Sequence, residues 1–148
     1  MSIEKILKND TVYKLDPRVN FIIGLNGSGK TTLLEHIYNE YRLEDLSMVY
    51  IKQDKQSLLI RGVDSRRVPL KPFRSQGLRD LYNLFRVVVL NMPDVLFLDC
   101  PENNLHISIQ RDLIKKLLIV HPTMQIICAT HAPEIVADFD HNKHIIHV

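Results

Sequence analysis

Along the chain, short continuous apolar runs alternate with stretches in which apolar residues recur every three or four positions. The runs Val19 to Ile23, Ser47 to Lys52, Val95 to Leu98, Gln125 to Ala129 and His144 to His147 have the length of buried strands. Helical spacing follows Lys30 through Leu33, Leu34 and Ile37. It returns from Ser75 through Leu78, Leu81, Leu84, Phe85 and Val88, again over Ile107 to Val120 before Pro122, and briefly from Pro133 to Ala137. Between Asp54 and Phe73 the pattern is lost, and Gly62, Pro69 and Pro72 predict an irregular insertion or loop there. Alternating strands and helices predict an α/β fold, a mainly parallel sheet with helices on both faces. Such sheets bind ligands beyond the carboxyl ends of their strands.

Composition narrows this picture only mildly. With 148 residues the chain is expected to form a single domain over 1–148, and its net charge of +2 does not by itself imply nucleic acid. The N-terminus lacks the apolar stretch of a signal peptide and no run is long enough to span a bilayer. The expectation is a cytoplasmic protein with no membrane partner. Cys100 and Cys128 are both expected at strand ends, as reduced thiols without metal or redox spacing. Internal repeats and low-complexity segments are absent from the sequence.

The strongest local chemistry is Gly24 to Thr31, which matches G-x-x-x-x-G-K-[ST] between an apolar strand and a helix. Glycines there let backbone N–H groups wrap a phosphate at a helix N-terminus. Asn26, Gly27, Ser28, Gly29, Lys30, Thr31 and Thr32 are therefore the expected nucleotide-binding residues, with Lys30 exposed to the phosphates rather than packed. The Thr31 hydroxyl would face Mg²⁺. Downstream, Val95 to Asp99 is an apolar run closed by a carboxylate, the form of a Walker B strand whose Asp holds the same metal.

The chain resembles ABC-type ATPases, most closely the soluble branch containing the SMC, RecF and OLD-family proteins. Five segments carry the resemblance in the family's order: the P-loop; VYIKQD, which looks like the Q-loop; Arg74-Ser75-Gln76-Gly77, which looks like the signature; LFLDCPENNLH, which looks like Walker B plus D-loop; and ATHAPEIV, which looks like the switch-histidine segment. The resemblance implies ATP and Mg²⁺ as cofactors, with Thr31, Asp99 and Gln53 near the metal. It implies that Gln53 approaches the attacking water, that His131 contacts the γ-phosphate, and that Ser75 and Gly77 present a helix N-terminus to the γ-phosphate held by a second subunit. An ATP-dependent homodimer follows from that last point. Ser75 is equally an N-cap for its own helix.

Two departures qualify the resemblance. The family places glutamate after the Walker B aspartate to polarise water, whereas this chain has Cys100, and a thiol is smaller and mostly neutral at pH 7. Slow hydrolysis is expected unless Glu102 supplies the carboxylate. The second departure is size: residues 54–74 form only a short basic insert where the family carries a helical lobe or coiled coil. Little chain precedes the P-loop to build the usual antiparallel sheet, and Tyr13 is the one nearby aromatic for stacking adenine. Within 52–79, Lys52, Lys55, Arg61, Arg66, Arg67, Lys71, Arg74 and Arg79 face only Asp54 and Asp64. Such a cluster suits a DNA or protein partner, or a solvated surface. Three functions follow: an ATP-driven dimeric switch of the kind found in DNA repair or phage defence, a catalytically silent interaction module that regulates a larger ATPase, and a transporter ATPase subunit. The short insert disfavours the third.

Overall fold

The computed structural model describes residues 3–25, 27–42, 46–53, 57–62, 66–69, 88, 91–99, 107–131, 136 and 143–148. Each apolar run predicted as a strand is one. They are β3 (Val19–Ile23), β4 (Met48–Gln53), β7 (Val95–Asp99), β8 (Gln125–Thr130) and β9 (His144–His147). The helices are α1 (Lys30–Tyr41) and α2 (Ile107–Val120). Val88 and Val136 are also helical, in the two further helical segments expected from the sequence, as is Asn91 just past the first of them.

Two departures from the sequence pattern concern strands. Before β3, β1 (Lys5–Lys8) and β2 (Thr11–Lys14) form an antiparallel hairpin. Its two-residue turn, Asn9 and Asp10, has φ of 49° and 64°, the geometry that matches the twist of paired strands. The segment expected to be irregular contains β5 (Ser57–Gly62) and β6 (Arg66–Pro69), which extend the sheet antiparallel from β4. Gly62 and Pro69 close these strands rather than interrupt a loop. Proline is compatible with this position because β6 lies at the sheet edge.

Among the described residues the large sheet has the order β6-β5-β4-β7-β8-β3-β9. Five of these strands, from β4 to β9 at the far edge, are parallel. Side chains alternate between two cores. Val19, Phe21, Val49, Ile51, Leu96, Leu98, Ile126 and Cys128 meet Ile114, Leu117 and Leu118 of α2 on one face. Ile22, Tyr50, Phe97, Ile127 and Ala129 meet Leu33, Leu34 and Ile37 of α1 on the other. Burial on both faces explains why these strands read as unbroken apolar runs instead of alternating ones. The chain therefore has the α/β fold anticipated, with a helix on each face. Cys128 is not at a strand end: it lies inside β8, opposite Phe21 and Leu98, and is fully buried.

At the amino edge of the sheet, two buried amides tie loops to strands. Asn20 accepts from the Asp16 N–H at 2.7 Å and donates to the Asp16 carbonyl at 2.8 Å. Gln125 accepts from the Ile3 N–H and donates to the carbonyls of Ile3 and Asp16, at 2.8, 2.8 and 2.7 Å respectively. These bonds satisfy both amides, whose burial would otherwise be costly.

Candidate nucleotide site

The opposite, carboxyl edge gathers the residues singled out in the sequence. Parallel pairing sets Ile23 beside Thr130, Asp99 beside Ala129, and Lys52 beside Asp99. The segments that leave β3, β8, β7 and β4 thus start from one edge, and β8 separates the P-loop strand from the strand that ends in Asp99.

Between β3 and α1, the P-loop turns sharply on two glycines. Gly27 and Gly29 have φ of 80° and 99°, values that L side chains adopt only with strain. Gly24 is needed for a different reason. A Cβ there would stand 2.5 Å from Ser28 Oγ and 2.7 Å from the Val148 carbonyl oxygen. Gly29 caps α1 without a side-chain hydrogen bond, so the loop leads into a helix start whose first N–H groups have no acceptor within the helix. Such a start favours anions.

Lys30 is only 5% exposed and donates to the carbonyls of Gly24 at 2.7 Å and Leu25 at 2.9 Å. The motif alone predicts an exposed lysine. Instead its stem is packed and its ammonium is folded over the first residues of the loop, because a buried charge requires polar partners. Thr31, one residue into α1, donates from Oγ1 to Asp99 Oδ1 at 3.2 Å. Asp99 is 2% exposed, and its other oxygen accepts from the Tyr50 hydroxyl at 3.0 Å. The P-loop and the Walker B candidate are therefore joined directly.

Tyr50 lies in the VYIKQD segment, but the resemblance gives it no role, because Gln53 carries that motif. It is fully buried on β4, opposite Phe97, on the face shared by Asp99 and α1. His131 follows β8, is exposed, and lines a cleft of about 240 Å³ with Ile23, Gly24, Leu25, His147 and Val148. It thus flanks the beginning of the P-loop. The backbone of Gln53 ends β4 at the same edge. Thr32 is exposed on α1, and Gly27 and Ser28 are exposed in the loop. Asn26, Ser75, Gly77, Cys100 and Glu102 lie outside the described residues, as does most of the helix expected from Ser75.

A parallel sheet, a glycine loop leading into α1, and a Thr–Asp pair between α1 and the end of β7 define a P-loop NTPase-like domain. Residues 59–137 match the family described as "AAA domain, putative AbiEii toxin, Type IV TA system", and the chain belongs to that family. The matched span contains Asp99 and His131 but begins after the P-loop. A segment of 40 residues is 40% identical to an uncharacterized protein of Methanocaldococcus jannaschii, covering 27% of this chain and 56% of that protein. The fold is similar to replication initiator DnaA bound to AMPPCP and single-stranded DNA, with a TM-score of 0.50 and 17% identity over 88% of this chain and 40% of that one. AMPPCP-bound DnaA from Aquifex aeolicus gives a TM-score of 0.46 and 22% identity, covering 86% and 36%. The chain spans less than two thirds of each of these relatives. Among the described residues no helix is long and apolar enough to cross a membrane.

Proposed function

We propose that this is an ATP-binding protein of the ABC type, of the soluble branch that includes SMC, RecF and OLD-family proteins, acting as an ATP-dependent dimeric switch. The observation that carries the reading is the Thr31–Asp99 hydrogen bond, which brings a P-loop hydroxyl and a strand-terminal carboxylate to one point. Hard oxygen donors of this kind fit Mg²⁺, which takes one or two protein ligands plus phosphate and water. Thr31 and Asp99 would hold the ion, with Gln53 near it, and the ion would neutralise charge on the β- and γ-phosphates.

On this reading Lys30 exchanges its loop carbonyls for phosphate oxygens, and the N–H groups of Gly27 to Thr32, with Asn26, cradle the phosphates. His131 is the γ-phosphate contact, supported by its place beside Gly24 and Leu25 in the same cleft. Ser75 and Gly77 complete the site of a second copy, so γ-phosphate contacts drive closure and their loss reopens the dimer. Hydrolysis is slow because Cys100 replaces the usual base. The family description, which names a toxin–antitoxin system, supports an output in defence-type systems, through a protein or DNA partner engaged by the basic 52–79 segment.

The test is the mass of the protein in solution with and without ATP and Mg²⁺. A dimer only with both is expected, and Ser75→Arg should abolish it while sparing nucleotide binding. A native chain that stays monomeric at every ATP concentration removes the trans site. Cys100 also favours a second reading, a silent nucleotide-gated module that regulates a larger ATPase. Measurable turnover by the purified chain decides against it.

A further inference from the structure

Among the described residues, Tyr50 touches Asp99 although the resemblance gives it no role. Its hydroxyl donates to Oδ2 at 3.0 Å, while Thr31 takes Oδ1 at 3.2 Å. The two oxygens of one buried carboxylate are thus divided between two different elements, β4 and α1. Tyr50 is held firmly for this task. Its ring stacks on Phe97 with centroids 5.9 Å apart and planes at 18°, and Tyr38 of α1 closes edge-on against both, at 5.4 and 5.5 Å. Phenylalanine would fill the same space. The core therefore does not explain the hydroxyl, which must find a partner when buried and finds it in the acid of the nucleotide site.

We propose that Tyr50 is a positioning residue that holds Asp99 Oδ2, so that this carboxylate offers a single oxygen, Oδ1, to the divalent cation of a bound nucleotide. The inference rests on the ATP and Mg²⁺ reading above. Its consequence is metal choice. Mg²⁺ is small and octahedral and accepts one carboxylate oxygen readily, whereas Ca²⁺ takes more ligands and commonly both oxygens of a carboxylate. Holding Oδ2 favours Mg²⁺. It also keeps the carboxylate from rotating when Thr31 turns from Oδ1 toward the metal.

The experiment is the affinity of the full chain for a fluorescent ATP analogue in EDTA, across a Mg²⁺ titration and across a Ca²⁺ titration. For Tyr50→Phe the Mg²⁺ concentration at half-saturation should rise about three- to tenfold, the scale of the net contribution of one ordinary hydrogen bond, since Tyr50 acts on the metal only through Asp99. Ca²⁺ half-saturation should change little and affinity in EDTA should stay native, so the preference for Mg²⁺ narrows. Tyr38→Phe, which alters the same aromatic group without touching Asp99, should keep the native preference. An unchanged preference in Tyr50→Phe, or an equal change in Tyr38→Phe, overturns the proposal. A native chain that binds the analogue equally with Mg²⁺ and with EDTA instead removes the metal-site reading, and this inference with it. Should Tyr50→Phe not fold, proton NMR of the native protein decides. A slowly exchanging tyrosine hydroxyl resonance should persist when Mg²⁺ and nucleotide are added, and its disappearance overturns the assignment.

Discussion

Thr31 and Asp99 stand 68 positions apart in the chain and share a 3.2 Å hydrogen bond. The bond depends on three levels of structure at once. Gly29 starts α1 so that Thr31 falls in its first turn, α1 lies across β3, β7 and β8, and β7 ends with Asp99 beside Ala129, one residue before the end of β8. A shift of one residue in the β7–β8 register would turn Asp99 to the other face, away from α1.

Lys30→Ala should weaken ATP binding about 10- to 100-fold, the scale of removing a charge-assisted hydrogen bond to phosphate. It also leaves the Gly24 and Leu25 carbonyls without their present donor. A small drop in thermal stability should accompany the weaker binding. Calorimetry with ATP and thermal unfolding read both quantities, and unchanged affinity in a folded variant rejects the site.

Gly24→Ala and Gly27→Ala should fail for different reasons. At Gly24 the new methyl meets the Ser28 hydroxyl oxygen and the backbone at Val148, so overpacking of about 1–3 kcal/mol is expected. At Gly27 there is open space but a φ of 80°, so the cost is backbone strain of about 1–2 kcal/mol. Urea unfolding measures both. Replacing Gly27 by Asn, which tolerates this φ, should recover part of the loss, and a similar gain from Asn at Gly24 would contradict the distinction.

Gln125→Leu should destabilise the fold by about 3 kcal/mol while leaving ATP affinity within twofold of native. The substitution strands the Ile3 N–H and the carbonyls of Ile3 and Asp16 in a buried setting. Denaturant unfolding and nucleotide titration are the paired measurements. A large fall in affinity in the folded variant would show that the two edges of the sheet are coupled.

Cys100→Glu should raise ATP turnover by about a hundredfold, since it restores a carboxylate where the ABC-type resemblance places the general base. The lifetime of an ATP-bound dimer should shorten in step. Steady-state phosphate release checks the first and sedimentation the second. If Glu102 already serves as the base, native turnover is ordinary, Glu102→Gln abolishes it and Cys100→Glu changes little.

The parallel core is legible in the sequence because β3, β7 and β8 are buried on both faces and read as apolar runs at strand length. The P-loop is legible because its glycines and Lys30 answer to local backbone chemistry. The hairpin of β1 and β2 has a fainter signal, Asn9-Asp10 between two short strands, because few of its positions are buried enough to show an apolar pattern. β5 and β6 are hidden by Gly62, Pro69 and their arginines, which read as loop until β4 supplies a partner. Tyr50 is invisible for a stronger reason. Only the pairing of β4 with β7, set by the order of strands in the sheet, brings its hydroxyl to Asp99. The packed state of Lys30 likewise follows from how the loop closes on itself, which composition does not encode.

The amide clasps of Asn20 and Gln125 give the two edges of the sheet unequal freedom. Where the chain enters β3 and β8, polar groups are locked side chain to backbone. Where it leaves them, the polar links among the described residues include a lysine on two carbonyls and a threonine on a carboxylate, partners that a phosphate or a cation can displace. The domain is thus anchored at one rim and adjustable at the other, so the nucleotide edge can rearrange at low free energy without loosening the body beneath it. Amide hydrogens of Ile3 and Asp16 should accordingly exchange with solvent at the rate of global unfolding, with or without ATP.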